Sequence, residues 1–245
     1  MWYVSSYAFI LILVVAITLP LELLVKFGIY RRPLLTFKAI SFPFVAYLLW
    51  DILFSYFDLW NFKSQHTYSF RFFGLPIEEI LFFIIIPLAG LLTYGAVSSL
   101  RSKKFDKNSW TKLLVFGICY FLLGLISYQF RLSFFNLTVP KRIFPYYTLS
   151  IIFILAIFIL WVWGEKERLD FLKSSNYFYT ILICLFFMVI VNGYLTKLSD
   201  PVVTYRANLG SRIFYDMPFE DVIYGFVLLT WILIRFNIPK KPVEQ

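Results

Sequence analysis

Seven apolar runs recur along the 245 residues, at about 3–25, 39–57, 76–97, 111–130, 144–163, 177–196 and 218–236. Each approaches the ~20 residues that a helix needs to cross the hydrocarbon core of a bilayer. A chain built this way can bury its backbone polar groups in lipid only as helices or as a closed barrel, and runs of this length point to helices. The composition agrees: 60% of residues are hydrophobic and 15% charged, whereas a soluble domain carries about 25% charged residues. An ordinary water-soluble domain is therefore excluded, and an all-α integral membrane protein with seven transmembrane helices is expected. The first run has no Lys or Arg before Lys26, so it lacks the basic start of a cleaved signal peptide and is expected to remain.

The net charge is +9, but the basic residues lie in short clusters between the apolar runs rather than along one face. That pattern fits anionic lipid headgroups and argues against nucleic acid as a partner. Fifteen Lys and Arg fall in the segments after spans 1, 3, 5 and 7, and eight in the segments on the other side. The positive-inside rule then places the N-terminus outside and the C-terminus in the cytoplasm, in what is expected to be a prokaryotic cell membrane. Cys119 and Cys184 lie within apolar runs without metal spacing, and His66 is the only histidine. No metal site is expected, and acid–base chemistry falls to carboxylates.

Two stretches repeat. Pro76-Ile-Glu78-Glu79-Ile-Leu-Phe82 and Pro218-Phe-Glu220-Asp221-Val-Ile-Tyr224 share proline, an apolar residue, two acids, two aliphatics and an aromatic, 142 residues apart. Asp51 precedes Glu78 by 27 residues and Asn192 precedes Glu220 by 28, so each half also places a polar group in the preceding span. Internal duplication is the simplest reading. It gives two parallel three-helix repeats, spans 1–3 and 5–7, joined by span 4, with boundaries at 1–100, 101–140 and 141–245. Because spans 3 and 7 run the same way, both acidic pairs fall at the outer ends of their helices.

A proline and acids in a first helical turn also complement the positive helix end, so helix capping alone is one explanation. It is not sufficient, because ionisable groups near hydrocarbon are costly and here four converge, with Asp51 deeper still. Adjacent helical residues point about 100° apart, so one acid of each pair should face the bundle interior. Its neighbour should meet an outer-loop cation, with Arg71, Arg206 and Arg212 available. Glu22 near Lys26 reads as an interfacial ion pair.

Trp50-Asp51-Ile-Leu-Phe54, Trp60-Asn61-Phe62, Leu75-Pro-Ile-Glu-Glu-Ile-Leu-Phe-Phe83 with Ile86-Pro87, Leu209-Gly-Ser-Arg212-Ile213 and Met217-Pro-Phe-Glu-Asp-Val-Ile-Tyr-Gly-Phe226 together resemble the membrane-integral lycopene cyclases. These are the heterodimeric or fused type of bacteria, archaea and fungi. The resemblance covers nearly the whole chain as two tandem lycopene-cyclase domains. The family's motif helices tend to end in an aromatic-Glu pair, whereas here they end Tyr94-Gly95 and Ile234-Arg235-Phe236, away from the acids.

The resemblance implies closure of the linear ends of lycopene or a similar carotene into ionone rings, an isomerisation without net redox change. An acid protonates the terminal double bond, a second double bond attacks the cation, and a carboxylate removes a ring proton. The candidate catalytic residues are Glu78, Glu79, Glu220 and Asp221, as proton donor and base with the roles within each pair open, and Asp51; Asp51 and Asn192 would orient these acids or stabilise the cation, and Arg212 would hold one carboxylate ionised. Independently, paired carboxylates in a dry site keep one partner protonated. Aromatic faces such as Trp50, Trp60, Phe82, Phe83 and Tyr224 stabilise carbocations and exclude water.

No two glycines are two residues apart, so no G-x-G-x-x-G nucleotide site exists and no bound cofactor is expected. The expected partners are a lipid-soluble carotenoid and membrane lipid, with a homo-oligomer or other carotenoid-pathway enzymes as candidate protein partners. A retinal protein would need a lysine within the last span, and residues 218–234 have none. The two rivals kept open are a proton-coupled membrane transporter and a non-catalytic carotenoid-binding subunit.

Overall fold

A computed structural model describes residues 4–25, 29–101, 146–196, 200–206, 212–213 and 217–238; the side chains of 21–25 and 212–213 lie outside that description. The described residues are mostly helical: α1 (Ser6–Val25), α2 (Pro33–Tyr56), α3 (Ile77–Leu100), α4 (Tyr146–Trp163), α5 (Lys166–Leu172), α6 (Ser175–Leu195) and α7 (Glu220–Asn237). Six of them coincide with expected spans. The expected span 111–130 is outside the described residues, and so is the side chain of Glu22. The seventh described helix is instead the two-turn α5, in a segment expected to be a loop, where Arg168 bonds to the Trp161 carbonyl and to Glu165.

Among the described residues four helices, α2, α3, α4 and α6, are long and apolar enough to cross a membrane, and the protein is accordingly membrane-associated. In α7 the apolar run is interrupted by Glu220 and Asp221 in the first turn and Arg235 in the last. The second span begins six residues earlier than expected because Pro33 occupies the first helical turn, where its missing N–H has no intrahelical partner to lose.

Short strands fold the connections over one end of the bundle. β1 (Trp60–Phe62), between α2 and α3, pairs antiparallel with β4 (Val203–Tyr205), between α6 and α7, setting Trp60 opposite Tyr205 and Phe62 opposite Val203. β2 (Arg71–Phe72) pairs with β3 (Leu75–Pro76), and β5 (Arg212–Ile213) with β6 (Met217–Pro218), so that each motif proline faces an arginine backbone. Phe73 and Gly74, with φ of 48° and 85°, make the two-residue turn between β2 and β3. Both values are positive, as a type I′ hairpin demands.

The helices pack through buried apolar side chains such as Phe83, Leu91, Leu228 and Ile232. Gly225 lets α6 approach α7: a Cβ there would stand 2.1 Å from Met188 Sδ.

Candidate functional site

The first turns of α1 and α3 lie side by side, as do those of α4 and α7, and the hydrogen bonds at the two places correspond. In the first half Ser5 Oγ donates to Glu78 Oε1 at 2.5 Å and Tyr7 to Glu79 Oε2 at 2.5 Å. In the second, Thr148 Oγ1 donates to Glu220 and Tyr147 to Asp221 Oδ1 at 2.6 Å. Each pair thus has a tyrosine on its second acid and an aliphatic hydroxyl on its first. The helix preceding each motif adds a third group. The Asp51 carboxyl of α2 is in hydrogen-bonding reach of Glu79, and Asn192 Nδ2 of α6 donates to Asp221 Oδ2 at 3.1 Å.

The two halves also meet directly. Tyr224 of α7 donates to Asp51 at 3.1 Å. Tyr205, held opposite Trp60 of the first half by the β1–β4 pair, donates to Asp221 Oδ2 of its own half at 2.9 Å. Burial, followed by the charge of Asp221, pushes the Tyr205 phenol well above its ordinary range, so it acts here as a protonated donor.

All five acids are buried: Glu78 is 0% exposed, Asp51 2%, Glu220 and Asp221 3%, and Glu79 7%. They divide by what they face. Asp51, Glu79 and Asp221 line a cavity of about 510 Å³, together with Tyr7, Tyr147, Tyr205, Tyr224 and Asn192. That size is typical of small-ligand sites. The cavity continues along α3 from Glu79 to Leu100, about 30 Å at 1.5 Å per residue. Beyond the acids its walls are almost wholly apolar. Trp60 and Phe62 of β1 and Val203 and Tyr205 of β4 line its acidic end.

Glu78 and Glu220 do not line this cavity. Glu78 Oε1 accepts both Ser5 Oγ and the Tyr68 backbone N–H, the latter at 2.7 Å, while Oε2 has no hydrogen-bond partner among the described residues. The expectation that one acid of a pair faces inward agrees with this division. At Glu78 a hydroxyl and a backbone amide, rather than the expected arginine, supply the hydrogen bonds. Arg71 donates to Thr67 at 2.6 Å and lies close enough to Glu78 to feel its charge. Arg206 pairs with Asp58, and the Arg212 side chain is outside the described residues.

Of the expected aromatics, Trp60, Phe82 and Tyr224 line the cavity, whereas Trp50 and Phe83 do not. The Trp50 ring packs edge-on against Tyr224 at 5.5 Å, and Phe83 packs behind Tyr47 and Tyr224 at 6.1 and 6.4 Å. Sequence reasoning missed Tyr7, Tyr147 and Tyr205. The available signal was a hydroxyl cluster starting spans 1 and 5, Ser5-Ser6-Tyr7 and Tyr146-Tyr147-Thr148, 72–74 residues before the acids it serves.

Chemically, the arrangement can hold a proton among buried carboxyls, present oriented donors, and exclude water from a long hydrocarbon guest. Among the described residues no group of His, Cys, Asp and Glu could hold a metal ion. Comparison with known proteins gives a family model, described as Lycopene cyclase, that matches residues 1–97 and 144–238. No curated protein and no solved structure matched the chain.

Proposed function

The chain belongs to the lycopene cyclase family, and as a carotenoid cyclase we propose that it closes ionone rings by proton transfer among Asp51, Glu79 and Asp221. The observation that carries this reading is the convergence of these three carboxyls, with four tyrosine hydroxyls, at one end of an apolar cavity. A linear carotene lies along the cavity with its terminal double bonds at the acids. A carboxylic acid transfers its proton to the inner carbon of the terminal double bond, breaking an O–H bond, forming a C–H bond and leaving a tertiary cation on the outer carbon. The second double bond attacks the resulting cation to close the ring, and a carboxylate takes a proton from a ring carbon. Atoms and electrons balance without an oxidant or reductant.

Tyr7, Tyr147, Tyr205 and Asn192 fix the carboxyl oxygens, and Trp60, Phe82 and Tyr224 place aromatic faces beside the developing cation, where such faces are worth about 2 kcal/mol or more when dry. Glu78 and Glu220 anchor the helix starts, so each acidic pair has one structural and one chemical member. The matched hydrogen bonds of the two halves support two parallel three-helix repeats, spans 1–3 and 5–7, within a seven-span chain whose N-terminus is outside. The repeats extend over 1–100 and 141–245, with residues 101–140 joining them.

The test is expression in a lycopene-accumulating bacterium. Glu79→Gln and Asp221→Asn should each reduce cyclised pigment at least about hundredfold at unchanged protein level, the usual weight of a general acid or base. Full cyclisation by both variants would refute the mechanism.

A further inference from the structure

The two cavity-facing motif acids hold equivalent places in the repeat, yet the preceding helix offers them different chemistry. Asp51 lies in hydrogen-bonding reach of Glu79, whereas its counterpart Asn192 donates an amide N–H to Asp221. Two carboxyls can share a hydrogen bond only if one of them carries a proton, because an ionised carboxylate has no donor. Tyr7 donates to Glu79 Oε2 at 2.5 Å and Tyr224 to Asp51 Oδ1 at 3.1 Å, which leaves a second oxygen on each acid for a shared proton. Asp221 instead receives three donors among the described residues, Tyr147 at 2.6 Å, Tyr205 at 2.9 Å and Asn192 at 3.1 Å. Three donors converging on one carboxyl group match the acceptor-only character of a carboxylate.

We infer that the duplication has been split into an acid half and a base half: the Asp51–Glu79 pair delivers the proton that opens the reaction, and Asp221 removes the ring proton that ends it. This rests on the cyclase reading above. Each ring closed moves one proton from the pair to Asp221, and the proton must return before the next closure. Tyr205, hydrogen-bonded to Asp221 and within electrostatic reach of the Asp51–Glu79 pair, stands between that pair and Asp221. The single difference between Asp51 and Asn192 sets the direction of proton flow.

The base decides which ring C–H bond breaks, and hence where the ring double bond lies, whereas the donor affects only how often a ring forms. The experiment therefore reads the ratio of ring double-bond isomers as well as their amount. The full-length chain and its variants are expressed in lycopene-accumulating cells, with membrane protein levels measured in parallel. Asp221→Glu, which moves the carboxyl by one methylene, should change the isomer ratio or introduce a second isomer. Glu79→Asp should lower total cyclisation about tenfold or more with the ratio unchanged. Asn192→Asp, which gives Asp221 a carboxyl neighbour able to share its proton, should lower cyclisation about hundredfold at wild-type protein level, and it carries the test if Asp221→Glu fails to accumulate.

A ratio shifted by Glu79→Asp but not by Asp221→Glu would overturn the division of roles, as would full activity in Asn192→Asp. Absence of any cyclic product from the wild-type chain would instead overturn the cyclase reading beneath it.

Discussion

Glu78→Gln should be nearly silent, although Glu78 sits in the motif and is completely buried. Both hydrogen bonds to this side chain, from Ser5 Oγ and the Tyr68 amide, end on the same oxygen, Oε1. Glutamine keeps that oxygen as its amide carbonyl, and its new NH₂ takes the place of Oε2, which has no hydrogen-bond partner among the described residues. The expected loss is below about 1 kcal/mol, the net worth of one ordinary hydrogen bond. Burial pulls the nearby Arg71 guanidinium down, and the Glu78 charge partly offsets this; losing that charge accounts for the small remainder.

Glu78→Ala is different, because it strands a buried hydroxyl and a backbone N–H. At about 1–3 kcal/mol for each unsatisfied group the loss is about 2–6 kcal/mol, a large share of the about 5–15 kcal/mol by which proteins are stable. The assay is pigment formed per molecule of membrane protein, with thermal stability in detergent measured on the same preparations. Glu78→Gln should match wild type in both, and Glu78→Ala should lower stability and abundance while leaving turnover per folded molecule within about twofold. A Glu78→Gln protein that is stable and abundant but forms no ring would refute the division of each acidic pair into an anchor and a chemical group.

Tyr147→Phe removes a 2.6 Å hydrogen bond to Asp221 and should lower cyclisation about tenfold or more, since hydrogen bonds to charged groups are worth about 1.5–3 kcal/mol; pigment analysis at matched protein level decides it. Gly225→Ala, whose Cβ would stand 2.1 Å from Met188 Sδ, should reduce both stability and pigment, and adding Met188→Ala should restore them; failure of the second change to rescue would show that the close approach is not the cause. Partial desolvation raises the Asp200 carboxyl, but hydrogen bonds from His66 at 2.6 Å and Lys63 at 3.3 Å outweigh it and hold the group below its ordinary value. A depressed carboxyl contributes its stabilisation above the ordinary value of about 3.9 and loses it as pH falls through the lower folded value. Melting curves of wild type and Asp200→Asn should therefore differ at pH 6 and converge as pH falls below about 4, whereas a constant offset would contradict the sign. Tags at the two termini should label from opposite sides of the membrane if the chain crosses it seven times; labelling from one side would contradict that topology.

The sequence carried the acids more plainly than their partners. The 142-residue offset linked Glu79 to Asp221 and, within one residue, Asp51 to Asn192, because carboxyls and amides are rare in apolar runs. The hydroxyl partners were hidden for the opposite reason. The chain has 17 tyrosines, most lipid-facing positions tolerate one, and the order reverses between halves, Ser5 before Tyr7 but Tyr147 before Thr148. Contacts between the halves could not be read at all. Trp60 packs at 5.9 Å on Tyr205 and at 5.2 Å on Tyr147 because β1 pairs with β4 across 140-odd residues of chain, and strands of three residues leave almost no periodic signal. At Glu78 a hydroxyl and a backbone amide stand where the arginine was expected, for a physical reason too. A buried carboxyl beside a helix start finds hydroxyls and backbone N–H groups nearer than a cation, and taking a guanidinium out of water would cost more than those contacts do.

The most direct measurement is the pigment content of lycopene-accumulating bacteria that express the intact chain, separated by chromatography and weighed by mass spectrometry. The account predicts products with the mass of lycopene, a shorter chromophore and one or two rings, absent from cells carrying Glu79→Gln. Unchanged lycopene in cells whose membranes contain the wild-type protein would contradict it.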